Sequence, residues 1–140
     1  MTEILIVTHG KLANELLAAA EVIAGELPNF HALSLDWSLG IDPARERIAA
    51  AVGGLAGRDG ILILTDMFGD TPSNAALSLR REGEVEVVSG VNLPMVVRLA
   101  CARGPSRSLA DTARWLEIKG RRSIRRGPAG SDPRPGPDRK

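Results

Sequence analysis

The fold of this chain is decided near its start, where residues 3–11 read EILIVTHGK. Four consecutive apolar residues, 4–7, are typical of a strand that is buried on both faces of a parallel sheet. Gly10 ends this strand, and apolar residues at helical spacing follow over residues 11–24. In an open α/β sheet, ligands bind at the carboxyl ends of the strands. His9 lies at that end, where we expect it to be exposed and able to act as a nucleophile near neutral pH.

A second buried strand, residues 61–65, ends in a loop with similar features. Asp66 follows the strand, and Thr71 stands before a proline, which predicts a helix N-cap with proline at the first helical position. Gly69 allows the loop backbone to come close to a ligand. A carboxylate, a glycine turn and a helix N-terminus together predict an anion site. The simpler interpretation, for this loop and for His9, is that the polar side chains only satisfy backbone groups.

Strands and helices alternate along the chain, which predicts a parallel sheet with right-handed crossovers. We expect a three-layer, doubly wound α/β domain with four parallel strands in the order 2-1-3-4 and helices on both faces. Strands one and three are then neighbours at the switch point, where His9 and Asp66 would meet. The predicted strands are residues 4–8, 31–35, 61–65 and 85–89, and the predicted helices are residues 11–24, 43–56, 72–82, 94–103 and 108–119, the last of them capped by Ser108 and stopped by Gly120.

The composition restricts the function classes. Tyrosine is absent and aromatic residues make up 3% of the chain, so the core must be aliphatic and nucleic-acid binding by base stacking is not expected. The lone Cys101 cannot form an internal disulfide, and we expect it to be buried in a helix. His9 and His31 have no Cys or His neighbours at ligand spacing, so neither a metal site nor a cofactor is expected. His31 is interpreted as a structural strand residue outside the site.

The apolar start of the chain is too short for a signal core or a membrane helix, so we expect a cytoplasmic protein without direct membrane insertion. From residue 120 onward the chain holds seven Lys or Arg and two Asp, against eleven basic and fifteen acidic residues before it. A mixture of Pro, Gly and Arg cannot bury enough apolar surface to fold alone. We therefore predict one domain over residues 1–126 and a disordered tail over residues 127–140. A basic arm for an acidic partner is the alternative interpretation of the tail.

The end of the fourth strand completes a recognisable pattern. Residues 85–89 run into the sequence GVNLPM at residues 90–95. Together with THG at residues 8–10 and TDMFGDTPSNAA at residues 65–76, this sequence resembles the mannose-type IIA domain of the bacterial phosphoenolpyruvate-dependent sugar phosphotransferase system. The likeness covers roughly residues 1–125.

The resemblance implies a phosphoryl carrier. In that family, a histidine after the first strand accepts a phosphoryl group from the histidine phosphocarrier protein (HPr) and passes it to a IIB component, and His9 corresponds to it. The acid that hydrogen-bonds the ring corresponds to Asp66, and phosphate-binding positions correspond to Phe68, Gly69 and Thr71. The chemistry agrees, because a carboxylate on one ring nitrogen fixes the tautomer and stabilises positive charge on the ring. Phosphoryl transfer then needs little beyond alignment and donors for the phosphoryl oxygens.

The resemblance also implies an assembly. Family members exchange a short antiparallel fifth strand between two subunits, and the matching stretch here is residues 120–126, whose only large apolar residue is Ile124. We therefore expect a homodimer that covers the sheet edge. The IIB partner is expected to be a separate chain.

Three functions remain open from the sequence. The first is a carrier that relays phosphate to a separate IIB for sugar uptake. The second is a regulatory IIA whose phosphorylation state controls a partner protein. The third is an α/β domain that binds a small anion without being phosphorylated. The first two differ in the partner and not in the active site, and the sequence does not identify the sugar.

Overall fold

The computed structural model describes residues 1–55, 59–102 and 107–127. Its four strands, numbered along the chain, form one parallel sheet in the order 2-1-3-4, which confirms the predicted α/β fold and strand order. The tail predicted beyond residue 127 lies outside the described residues. The strands are β1 (Glu3–His9), β2 (Phe30–Leu35), β3 (Ile61–Thr65) and β4 (Val85–Ser89), and the helices are α1 (Leu12–Ala24), α2 (Ile41–Gly53), α3 (Thr71–Leu77), α4 (Leu93–Cys101) and α5 (Leu109–Arg122).

Helices cover both faces of the sheet, so the central strands are fully buried. Helices α1, α4 and α5 pack on the face that carries Ile6 and Leu64. Helices α2 and α3 pack on the opposite face, which carries Val7 and Ile63. Successive strand residues point to opposite faces, which is why an unbroken apolar run suits this three-layer arrangement. Each fully buried Ile or Leu side chain stabilises the folded chain by about 1.5–3 kcal/mol relative to an exposed side chain.

The register of the sheet brings the carboxyl ends of the strands together. Val7 of β1 lies opposite Thr65 of β3, and Thr65 lies opposite Ser89 of β4. His9 pairs with Leu35, the last residue of β2. The carboxyl ends of all four strands therefore lie at the same end of the sheet. The direction in which strands are added reverses between β1 and β3. This is the position at which ligands bind in such folds.

Helix α3 is shorter than predicted, ending at Leu77 instead of residue 82. Directly after it, the Ser78 hydroxyl donates to the carbonyl of Ala75 at 2.6 Å. Arg81 and Val85 then exchange two backbone hydrogen bonds, of 2.9 Å and 2.8 Å, which turn the chain into β4. These bonds replace those of a longer helix.

Helix α5 runs two residues beyond Gly120, which is buried inside the helix and does not stop it. A Cβ atom at Gly120 would lie 2.6 Å from Sδ of Met95, so the glycine permits close packing of α5 against α4. Residues 121–122 are therefore helical, and residues 124–127 are in neither helix nor strand in the single chain. Ser108 caps α5 as predicted, since its hydroxyl accepts from the amide of Asp111 at 3.1 Å.

Two further observations concern α4 and the helices in general. Cys101, the last residue of α4, is exposed, so its predicted burial is wrong. It stands on the outer side of the helix, away from the apolar stripe that contacts the sheet. In the part of the chain that the structure describes, no helix is long and apolar enough to cross a membrane.

Candidate active site

One carboxylate oxygen holds His9 at two points. Oδ2 of Asp66 accepts from the backbone amide of His9 at 3.0 Å and lies 2.9 Å from the ring atom Nδ1. Oδ1 of Asp66 accepts from the backbone amide of Met67 at 3.0 Å. A carboxylate oxygen only accepts hydrogen bonds, so Nδ1 is the donor. In the neutral ring, the lone pair that can act as a nucleophile is then on Nε2.

The indole of Trp37 stacks on the imidazole of His9. The two ring centroids are 4.4 Å apart and the ring planes differ by 16°. A tight turn presents the indole, because Oδ1 of Asp36 accepts from both the hydroxyl and the amide of Ser38, at 2.6 Å and 2.9 Å. These bonds, the hydroxyl bond most of all, hold the pKa of the Asp36 carboxyl below its usual value. One face of the His9 ring is thereby covered.

A second carboxylate, that of Asp70, faces the other ring nitrogen of His9. Its Oδ2 lies 3.3 Å from Nε2. Its Oδ1 accepts from the backbone amide of Thr71 at 2.8 Å, so Asp70 is the N-cap of α3. The predicted N-cap at Thr71 is therefore wrong, and Thr71 and Pro72 are the first two helical residues. Aspartate and threonine both serve as N-caps, which is why the sequence pattern permitted the shifted assignment.

Buried hydroxyl groups fix the strand ends around the site. The hydroxyl of Thr8 accepts from a backbone amide in the first turn of α1 at 2.7 Å and donates to the carbonyl of His9 at 3.1 Å. The hydroxyl of Thr65 donates to Oγ of Ser89 at 2.7 Å, and Ser73 of α3 lies 2.9 Å from the same atom. The ends of β1, β3 and β4 are therefore held by side chains as well as by backbone pairing.

The three predicted phosphate-binding residues lie on the loop and helix start that follow Asp66. Phe68 is 78% exposed, and Gly69 has a φ of +87°, a conformation that favours glycine. Thr71 is half-buried at the first position of α3. Among the described residues, no group of three or more His, Cys, Asp or Glu side chains is placed to hold a metal ion.

The expectation that His9 is exposed is wrong, since only 8% of the residue is accessible. Trp37 and Asp70 also lie against the ring together with Asp66, although the sequence pattern does not place them in the site. The pairing of β1 with β2 is the signal that indicates Trp37, because a residue just beyond the end of β2 lies near the end of β1. His31, by contrast, is half-buried on β2 with Nε2 3.2 Å from Oε2 of Glu3, outside the site as predicted.

The arrangement can direct a nucleophilic nitrogen at an electrophile. Nδ1 of His9 is committed to Asp66, which leaves Nε2 as the reactive atom. The paired carboxylate can neutralise positive charge that appears on the ring when Nε2 forms a bond. Trp37 covers one face of the ring, which closes that face to an electrophile.

Known proteins are similar to this chain over most of its length. The family model described as PTS system fructose IIA component matches residues 3–115. The sorbose-specific EIIA component of Lacticaseibacillus casei is 36% identical over 101 residues, which are 70% of this chain and 71% of that protein. The mannose-specific EIIAB component of Escherichia coli (strain K12) is 32% identical over 123 residues, which are 87% of this chain but only 38% of that protein. The solved structure of the mannose/sorbose specific IIA subunit from Enterococcus faecalis matches with a TM-score of 0.79 at 28% identity, covering 89% of this chain and 93% of that one.

A glycine at position 10 is required for the stacking of Trp37 on His9. Gly10 has a φ of +55°, and a Cβ atom there would lie 2.9 Å from Nε1 of Trp37. Gly10→Ala is therefore expected to move the indole off the imidazole and to change the tryptophan fluorescence. Gly83→Ala is the matched control, since Gly83 also has a positive φ, of +77°, but no atom lies within 4 Å of its Cβ position.

Both alanine variants should lose about 1–2 kcal/mol of stability from the left-handed backbone. Only Gly10→Ala should shift the NMR signals of the His9 ring protons, because only that variant removes the indole above them. Unchanged His9 ring signals in the Gly10→Ala protein would contradict the stacked arrangement.

Proposed function

This chain belongs to the family of fructose-, mannose- and sorbose-type IIA components of the sugar phosphotransferase system, and on that basis we propose that His9 carries its phosphoryl group. The family implies phosphoryl transfer in a sugar phosphotransferase system. The observation that carries the proposal is the 2.9 Å contact between Nδ1 of His9 and Oδ2 of Asp66. It commits one ring nitrogen to a carboxylate and makes Nε2 the atom that attacks phosphorus.

The proposed acceptance step moves no proton. The lone pair on Nε2 of His9 forms a bond to the phosphorus carried by a phosphohistidine of HPr. The bond between that phosphorus and the nitrogen of HPr breaks, and the imidazole of HPr leaves with the electron pair. The proton on Nδ1 of His9 stays in its hydrogen bond with Asp66, whose negative charge offsets the positive charge on the ring. In donation to a separate IIB component His9 is the donor. The bond between phosphorus and Nε2 breaks, and a nucleophile of IIB forms the new bond to phosphorus.

The loop after β3 is proposed to hold the phosphoryl oxygens. Thr71 can donate a hydrogen bond from its hydroxyl, and Gly69 can bring its backbone close to the phosphoryl group. Phe68 borders the site on its exposed side. Donors that face the equatorial oxygens are the main requirement of phosphoryl transfer.

Exposed apolar side chains at the rim of the site are proposed to receive the two partner proteins in turn. Trp37, Met67 and Phe68 are 75%, 56% and 78% exposed. Large apolar residues grouped on a surface mark sites of protein–protein contact. A rim of this kind suits a carrier that must place its histidine against that of HPr and then against the acceptor of IIB.

A homodimer is proposed to form along β4, which is an edge strand of the sheet. A groove of about 460 Å³ runs beside this edge and is lined by residues that include Val87 of β4, Gly120 of α5 and Ile124. Ile124 is 79% exposed in the single chain. An extended segment from a second copy would satisfy the unpaired backbone groups of β4 and bury this apolar surface.

The role of His9 is tested by phosphorylation with phosphoenolpyruvate, enzyme I and HPr. His9→Ala is expected to abolish acid-labile labelling, because the only nucleophile of the site is removed. His31→Ala is the control and should be labelled like the unaltered protein, since the ring of His31, on β2, lies beside Glu3 of β1. Equal labelling of the His9→Ala protein would exclude His9 as the phosphoryl carrier, whereas no labelling of the unaltered protein would leave the anion-binding alternative.

The role of Asp66 is tested by Asp66→Asn, which is nearly isosteric. The amide can present a donor to Nδ1, which favours the wrong tautomer of His9 and removes the charge that stabilises the phosphorylated ring. Transfer from HPr is expected to slow by about 10-fold to 10⁴-fold. Asp42→Asn, on the exposed start of α2, should transfer at the unaltered rate. A normal rate in Asp66→Asn would mean that Asp66 has only a structural role.

The dimer is tested by two truncations that both keep α5 whole. Truncation after Ser123 removes Ile124 and every residue after it, and should weaken dimerisation. Truncation after Gly127 keeps these residues, and should leave the dimer intact. Light scattering at micromolar concentration distinguishes the outcomes. A full-length protein that is monomeric under these conditions would refute the proposed dimer.

A further inference from the structure

The carboxylate of Asp70 lies beside the ring nitrogen of His9 that is not bonded to Asp66. Its Oδ2 is 3.3 Å from Nε2 of His9, the atom that the proposed function assigns to the nucleophile. Capping of α3 does not require this contact, because the cap uses the other oxygen, Oδ1, at 2.8 Å from the amide of Thr71. The Asp70 carboxylate therefore makes two separate contacts, and only the contact with Thr71 stabilises the helix start.

We propose that Asp70 is a movable cover on Nε2 of His9, which turns away when the phosphoryl group arrives and then repels it. This proposal rests on the proposed function of His9. Asp70 is a positioning residue under this proposal, since it acts through the nucleophile and forms no bond to phosphorus. We call its resting position the Asp70 cover.

The Asp70 carboxylate crowds the ring nitrogen that is left for the phosphoryl group. Nδ1 of His9 faces Asp66, and Trp37 stacks on one face of the ring. An oxygen atom of Asp70 lies 3.3 Å from Nε2, which is about the distance at which a reacting phosphorus atom stands. That phosphorus carries three further oxygen atoms, which need the space beside Nε2. We therefore expect acceptance to displace the Asp70 carboxylate.

Asp70 is held more loosely than Asp66, which is why it can move. Oδ2 of Asp66 contacts both the amide and the ring of His9, and Oδ1 accepts from Met67. The side chain of Asp66 is 13% exposed, whereas that of Asp70 is 34% exposed. Rotation of the Asp70 side chain leaves the backbone of the helix start in place, since the Asp70 carbonyl accepts from Asn74 at 2.8 Å.

The charge of Asp70 has opposite effects before and after transfer. Before transfer, its carboxylate repels the negative phosphoryl donor and slows acceptance. After transfer, it stands within a few ångströms of a phosphoryl group that carries a charge of nearly −2. The repulsion raises the free energy of phosphorylated His9 and makes it a stronger phosphoryl donor. Asp70 would thus favour transfer of the phosphoryl group to the next partner over its retention on His9.

Asp70→Asn is the variant that tests this proposal. Asparagine is an equally good N-cap, so the charge is removed while the cap of α3 is kept. Asp111→Asn is the control, because it removes the same charge from the exposed first turn of α5, where Asp111 pairs with Arg114. Asp70→Ser is a second variant that keeps a capping side chain and loses the charge.

The probe is phosphoramidate, a small donor that needs no partner protein. Nε2 forms a bond to its phosphorus, the phosphorus–nitrogen bond of the donor breaks, and ammonia leaves. Phosphorylation of His9 is followed by mass spectrometry at low and high salt. Asp70→Asn and Asp70→Ser should react about 10-fold faster than the unaltered protein at low salt, which is the scale expected for partly screened charges. Asp111→Asn should react at the unaltered rate.

A second measurement follows the equilibrium with phosphorylated HPr. Asp70→Asn should shift the equilibrium about 10-fold toward phosphorylated His9, because the repulsion is lost. If both charge-free variants react with phosphoramidate no faster than the unaltered protein, or if none of the proteins reacts, the Asp70 cover is refuted. If phosphoramidate gives the expected order while HPr labels none of them, the Asp70 cover stands and the proposed partner is wrong. If HPr labels the unaltered protein but the Asp70 variants behave like it in both measurements, the proposed partner stands and the Asp70 cover is refuted.

Discussion

A single oxygen atom, Oδ2 of Asp66, connects the two central strands of the sheet at their carboxyl ends. It accepts from the backbone amide of His9 and contacts the ring of the same residue, so it sets both where β1 ends and how the imidazole is turned. The contact is possible only because Val7 and Thr65 pair across β1 and β3, which brings Asp66 beside the end of β1. The register of the sheet is therefore also the constraint on the geometry of the nucleophile.

Much of the fold follows from the sequence because parallel strands buried on both faces leave a clear pattern. The apolar runs that begin at Ile4 and Ile61 predict strands, and the change to helical spacing after each predicts the crossovers. The strand order then implies that His9 and Asp66 are neighbours. The length of α3 does not follow in the same way. It depends on backbone bonds between Arg81 and Val85, which form only when β4 is in place.

The rest of the site depends on contacts between segments that are distant in sequence. Trp37 lies beside His9 because β2 pairs with β1 and ends opposite it, and no local pattern around Trp37 indicates this contact. Asp70 was predictable as a polar loop residue but not as a neighbour of Nε2. Two residues in succession, Asp70 and Thr71, could each cap α3, and the choice between them decides which side chain turns toward the histidine.

The two carboxylates at His9 differ in a way that suits opposite requirements of a carrier. A phosphoryl carrier must bind the group long enough to pass it on, yet must not hold it so firmly that donation stops. Asp66 is only slightly exposed and is held by several hydrogen bonds, so it can stabilise the charged ring throughout the cycle. Asp70 is more exposed and bonded through one oxygen to the start of a helix, so it can move without disturbing the fold. Two carboxylates beside the two ring nitrogens, one fixed and one mobile, would thus set how readily the site gives up the group it receives.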